Sequence, residues 1–232
     1  MLSTSTLWRA GVTLLCLGAV GCVIEDADDS AFAVSWNLAY VAGGQLVSCA
    51  DAGTPTVQLQ ARHLQSQNAY TTSFPCADLG GVSEVLPSGP YEVTLSLLDA
   101  LGRPVSAIAN GPFDISRRRL TRLPDTQFQI QAWDLAWIIS GTDPTGGMSI
   151  LACADVGAQT VELFTRLGSE GPEMFEFDCG LGQGTSQAIR TGNYAYQVRL
   201  LDPARQVLAE TDVLGLRVEA DRRATVDVNF AF

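Results

Sequence analysis

A phrase of this sequence returns about one hundred residues later, and that duplication restricts the fold more than any other feature. Ser48-Cys49-Ala50-Asp51-Ala52-Gly53, followed by Thr56-Val57-Gln58-Leu59, comes back as Ala152-Cys153-Ala154-Asp155-Val156-Gly157, followed by Thr160-Val161-Glu162-Leu163. Phe74-Pro75-Cys76 returns as Phe177-Asp178-Cys179, and Gly89-Pro90-Tyr91 as Gly192-Asn193-Tyr194. The offset is 104 at the first cysteine and 103 at the second cysteine and at the tyrosine. A register held over so long a period is that of a duplicated domain, not of a solenoid repeat. Trp36 and Trp137 fit the same scheme, which puts the boundary near Gln131, with one copy over residues 32–130 and the other over 131–232. A protease-accessible connection is expected between about Asp125 and Trp133.

Each copy reads as strands. Phe32, Val34, Trp36, Leu38 and Tyr40 alternate with small or polar residues, as do Tyr91, Val93, Leu95 and Leu97, then Tyr194, Tyr196, Val198 and Leu200, and finally Val226, Val228, Phe230 and Phe232. Period-two alternation buries one face and wets the other. Turn signals separate the runs, among them Gly43-Gly44, Pro87-Ser88-Gly89-Pro90, Gly102-Arg103-Pro104 and Gly146-Gly147. No helical stripe with caps is present. Six to eight short strands per copy predict an all-β chain of two tandem antiparallel β-sandwiches. The Gly-x-Tyr strand leading to Leu97-Leu98-Asp99 and Leu200-Leu201-Asp202 resembles the Ig-like, fibronectin-like and carboxypeptidase-regulatory-like sandwiches of exported proteins.

The first 21 residues have the parts of an export signal: one cation at Arg9, then the apolar run of residues 10–20, too short to span a bilayer. Ala19-Val20-Gly21-Cys22 resembles a bacterial lipobox. That resemblance implies cleavage before Cys22, lipid on its sulfur and its new amine, and an anchor stable through several acyl chains. The alternative is an ordinary secretory signal that leaves Cys22 a spare thiol. Cysteine arithmetic favours the anchor: Cys16 leaves with the signal, and four cysteines remain besides Cys22, an even number for an oxidising compartment. Residues 22–31, with Glu25, Asp26, Asp28 and Asp29, read as an acidic tether. Val23 after the cysteine leans toward the outer membrane, by resemblance to sorting rules of some Gram-negative bacteria. The arrangement also resembles two-domain lipoproteins of high-GC Gram-negative bacteria, myxobacteria in particular, a likeness that implies no activity.

Four cysteines allow three pairings. The duplication selects Cys49 with Cys76 and Cys153 with Cys179, one bridge per copy, each closing about 27 residues and worth roughly 3.5 kcal/mol of loop entropy. Structural zinc would need cysteines two to four apart or histidine partners, and His63 is the one histidine. It is expected as a solvated or partly packed strand residue. Asp51, Asp155, Asp99 and Asp202 sit at turns, where aspartate caps backbone; calcium would need a denser motif. Gly180-Leu181-Gly182-Gln183-Gly184 lacks the strand, helix and lysine of a phosphate loop and reads as a flexible turn. Arg117-Arg118-Arg119 with Arg122 is a turn rim, or else a contact with anionic lipid, glycan or the partner domain; Asp221-Arg222-Arg223 occupies the matching place. With 14 Lys plus Arg, every one an Arg, against 25 Asp plus Glu, the overall charge excludes a nucleic-acid partner and argues against lipid adhesion by net charge alone. No cofactor or metal is expected. The expectation is a non-enzymatic, lipid-anchored cell-envelope protein with a structural or binding role toward an envelope protein or glycan. The alternative is an accessory protein or hydrolase of envelope glycans or peptides, which would need a nucleophile with its base or a carboxylate pair in a cleft.

Overall fold

The computed structural model describes residues 30–41, 43–142 and 146–232. The segment read as an export signal, Cys22 and the chain up to residue 29 lie outside the described residues, as do three positions of the Gly141–Gly147 turn. Among the described residues the regular structure is strand with three short 3₁₀ turns, and no helix is long and apolar enough to cross a membrane.

The first repeat contains β1 (Ala31–Tyr40), β2 (Thr56–His63), β3 (Ala69–Pro75), β4 (Gly80–Val82), β5 (Gly89–Leu98), β6 (Pro104–Ile115), β7 (Leu120–Arg122) and β8 (Thr126–Ile130). One sheet runs β3-β2-β5-β6; the other sets β4 on one edge of β1 and β7 and β8 on the opposite edge. The second repeat contains β9 (Trp133–Thr142), β10 (Met148–Leu151), β11 (Thr160–Leu167), β12 (Glu173–Asp178), β13 (Gln183–Thr185), β14 (Gly192–Leu201), β15 (Val207–Glu210), β16 (Leu214–Val218) and β17 (Ala224–Ala231). Its sheets repeat the plan: β12-β11-β14 edged by β15 and β16, facing β9, which is flanked by β10 and β13 on one side and β17 on the other. Antiparallel ladders dominate. The exception is shared by both repeats: the first strand pairs parallel with the last, β1 with β7 and β8, and β9 with β17.

The alternating residues fill the space between the sheets. One apolar cluster gathers Phe32, Val34, Trp36, Leu38, Val57, Leu59, Tyr91, Val93, Leu95 and Phe128; a second gathers Trp133, Leu135, Trp137, Val161, Leu163, Tyr194, Val198, Leu200, Val226 and Phe230. Phe232 departs from the expected pattern: it lies one residue beyond β17 and is exposed, because β9 offers no further sheet to cover it. The tether is shorter than expected. Ser30 and Ala31 are buried and hydrogen-bonded into the first repeat, so the chain enters the fold two residues early. The first repeat's last strand ends at Ile130 and the second's first begins at Trp133, on either side of Gln131, but the expected open connection is corrected. Gln131, Ala132 and Trp133 are buried and β8 is paired along its length, so no open connection runs from Asp125 to Trp133.

Candidate functional site

Most residues singled out by the duplication turn out to fasten the sandwiches. Cys49 is bonded to Cys76 and Cys153 to Cys179, with Cα separations of 5.9 and 6.0 Å. Beside each bridge the indole of Trp36 or Trp137 donates to the carbonyl of the second cysteine, 2.9 Å in both cases. The same indoles lie at 40° to Phe74 and Phe177, with centroids 5.8 and 6.0 Å apart. Gly81 and Gly184 lie under those phenylalanines, where a Cβ would overlap the ring. The hydroxyls of Tyr91 and Tyr194 reach back four residues, to the carbonyls of Pro87 (2.9 Å) and Arg190 (3.0 Å). Ser83 and Ser186, which no sequence signal had marked, accept the backbone N–H of Phe32 and Trp133.

His63 is buried rather than solvated, and it organises a turn. Its Nδ1 accepts the N–H groups of Gln65 (3.2 Å) and Ser66 (3.1 Å), which leaves the proton on Nε2, 3.4 Å from the Ser88 carbonyl. Its ring meets Tyr91 edge-on at 4.8 Å. Leu167 takes its place in the second repeat, so the position is a packing position. Asp51 accepts from Ser48, Asp155 from the N–H of Ala152, and Asp202 from the N–H of Gln206. Asp99 accepts from the N–H groups of Leu101 and Arg103 and from the Arg103 guanidinium. Its burial works to raise its pKa, but these donors outweigh burial and hold it below the usual carboxylate range. Residues 180–184 are not a loose turn: Cys179–Leu181 is a 3₁₀ turn capped by Asp178, and β13 follows at once. Among the described residues no three His, Cys, Asp or Glu side chains converge as for a metal.

The structure brings together groups that nothing in the sequence connects. Arg103, on the β5–β6 hairpin of the first repeat, pairs with Asp99 (2.7 Å) and crosses to Glu170 (3.3 Å) and Glu173 of the second. Arg190 also pairs with Glu170, whose pKa is lowered, chiefly by that hydrogen bond. Nearby, the Ala188 N–H donates to the Ala52 carbonyl (2.9 Å). On the other side the Arg223 guanidinium lies 4.6 Å over the ring of Tyr40 and 2.7 Å from Asp134. Gln131 donates to the Ala220 carbonyl at 2.6 Å. The repeats therefore meet head to tail: the end of the second that carries Ala188 and Arg223 sits on the end of the first that carries Tyr40 and Ala52.

Three kinds of surface remain. A polar groove of about 530 Å³ runs over β9, β13 and the start of β17, lined by Asp134, Gln183, Thr185, Arg223 and Thr225. Around the second disulfide, Ile138, Met148, Ile150 and Leu181 are exposed apolar residues. The third surface is the basic turn. Arg117, Arg118, Arg119 and Arg122 are all exposed, and the structure sets them beside Ser30 and Ala31, where the chain enters the fold.

Scanned against protein families and curated proteins, the chain finds no match. Solved structures give loose overlays. A candidate adhesin from Bacteroides ovatus is 11% identical, with a TM-score of 0.40, covering 95% of this chain and 98% of that one. Candidate polysaccharide-binding proteins from Bacteroides thetaiotaomicron give 10% identity and 0.38 over 87% and 91% of the two chains. The minor pilin GBS52 of Streptococcus agalactiae gives 14% and 0.31 over 85% and 95%. At such scores the roles of those proteins do not transfer, and the fold of this chain rests on its own strand pairing.

Proposed function

We propose that this protein is an exported, lipid-anchored protein of the cell envelope that presents a joined pair of β-sandwiches in a structural or binding role. One observation carries the reading. The four cysteines of the two repeats are all bridged within their own repeat. Such bridges persist in oxidising compartments, and they leave Cys22, directly after the lipobox-like Ala19-Val20-Gly21, as the unmatched cysteine of the processed chain. The conserved polar chemistry between repeats goes into turn caps and core fasteners, which leaves the surfaces to do the work, through sheet edges and end loops. Replacing Cys22 by Ser is expected to move the protein from the detergent phase to the aqueous phase on temperature-induced partitioning of cell extracts. A Cys22→Ser protein that still enters the detergent phase would overturn the anchor.

A further inference from the structure

The two repeats have the same head, and in the second repeat that head is an interface. Ile189 donates its N–H to the Gln131 carbonyl as Leu86 does to that of Ser30. Ser186 accepts from Trp133 as Ser83 does from Phe32. In the second repeat Ala188, next to this serine, packs on the core of the first, and the turn at Asp221-Arg222-Arg223 puts Arg223 on Tyr40. In the first repeat the matching surface faces away from the second, toward the chain that leads to Cys22, and no unit covers it among the described residues.

We propose that this uncovered head is a membrane-resting surface, seated on the anionic headgroups of the bilayer that Cys22 enters. The inference rests on the lipid-anchor reading. Val85, which matches the docked Ala188, is 57% exposed; Val82 is 51% exposed and Leu120 39%. Beside them stands the basic turn, Arg117, Arg118 and Arg119, with Arg122 on β7. Among the described residues no ion pair reaches Arg117, Arg119 or Arg122. Glu84 is the acid within the 82–86 segment. Backbone bonds clamp the surface to the entry point: Ala31 N–H to the Arg119 carbonyl, Arg118 N–H to the Ser30 hydroxyl, and Val82 paired with Ala33 across β4 and β1. Seven residues lie between Cys22 and Ser30, and the eight steps that join them reach about 29 Å when fully extended. Exposed aliphatic side chains ringed by arginines have the composition of an interfacial binder. Arginines at an anionic surface add attraction that falls off within a Debye length. At physiological salt charges more than about 8 Å away are screened, so the acids that compete for these arginines are Glu84 and those that precede Ser30 in the chain.

The test uses the processed chain from Cys22 onward, coupled through the Cys22 thiol to a maleimide lipid in vesicles, so that the anchor is supplied whatever the cell does. Hydrogen exchange of segments 82–88 and 115–122 is followed on phosphatidylglycerol-containing vesicles, on phosphatidylcholine alone, and in solution. Roughly five-fold slower exchange is expected on the anionic vesicles only. It should be lost on joint Arg117→Ser, Arg119→Ser and Arg122→Ser substitution and weakened by Val85→Ser. Equal exchange under all conditions would overturn the proposal. So would protection already present in solution or on neutral vesicles, which would assign the surface to the chain's own acidic segment or to a second copy. Failure of the anchor reading would register separately, in the partitioning of Cys22→Ser from cells.

Discussion

Tyr194 shows how the aromatic residues act as more than filler. Its ring packs edge-on against Trp133 and its hydroxyl is tied to the Arg190 carbonyl. Burial pushes its pKa up to about 12. A phenol whose folded pKa lies above the unfolded value of about 10 stabilises the fold fully below pH 10 and loses that contribution as pH rises toward 12. The stability of the second repeat should therefore fall between pH 10 and 12. Tyr194→Phe should weaken that dependence, leaving the smaller share of partly buried Tyr196, while costing about 1 kcal/mol at neutral pH. Denaturant midpoints at pH 8 and pH 11 check it; the same pH slope in both proteins would contradict it. Such residues were legible because the duplication displayed each of them twice. Ser83 and Ser186 were equally paired in sequence, but a small hydroxyl near a glycine also reads as turn, and nothing in the string shows that it reaches a strand start some fifty residues away. His63 was misjudged for a related reason: the turn whose N–H groups it accepts exists only after β2 and β3 pair.

At the scale of strands, alternation told which face of β1, β5, β14 and β17 is buried, and the paired cysteines told which segments close on each other. It could not reveal that β1 and β9 run parallel to the last strands, because a period of two is the same for either direction of pairing. The bridges hold the second sheet to the first near the tryptophan, where indole, phenylalanine and glycine interlock. Joint Cys49→Ala and Cys76→Ala substitution should lower the stability of the first repeat by about 3.5 kcal/mol. Non-reducing peptide maps of the native protein should show Cys49 joined to Cys76 and Cys153 joined to Cys179. A peptide linking one repeat to the other would refute the pairing.

At the scale of the molecule, the two repeats are joined by the Ala188–Ala52 backbone hydrogen bond, by Arg223 over Tyr40 and by ion pairs that cross between them. Removing Arg103 breaks contacts to Asp99, Glu170 and Glu173 together. These pairs are partly exposed, so Arg103→Gln should weaken the junction by only about 1–2 kcal/mol. That suffices to raise the radius of gyration in small-angle scattering and to expose Gln131 and Ala132 to protease. An unchanged scattering profile would show that the junction does not depend on this arginine. The lowered pKa values of Asp99 and Glu170 give these two carboxylates a pH window: their pairs with Arg103 and Arg190 are complete above about pH 4.5 and are lost as pH falls through the depressed values. None of this network could be read from the sequence, since the duplication marks residues that recur, and at the matching turn Gln206 stands where the first repeat has Arg103.

A head resting on a tail is a heterologous contact, the type that generates filaments when every unit offers the same two surfaces. Here the second tail has lost its half of the contact. Where the first repeat offers the ring of Tyr40, the matching position on β9 is Gly141, and where it offers Ala52 the second has Val156. Another molecule arriving head-first would bring Leu120 where the second repeat carries Arg223, and would meet no aromatic ring there. The contact between the repeats is thus directional, and the arginine-on-tyrosine pair that seals it has no counterpart at the second tail.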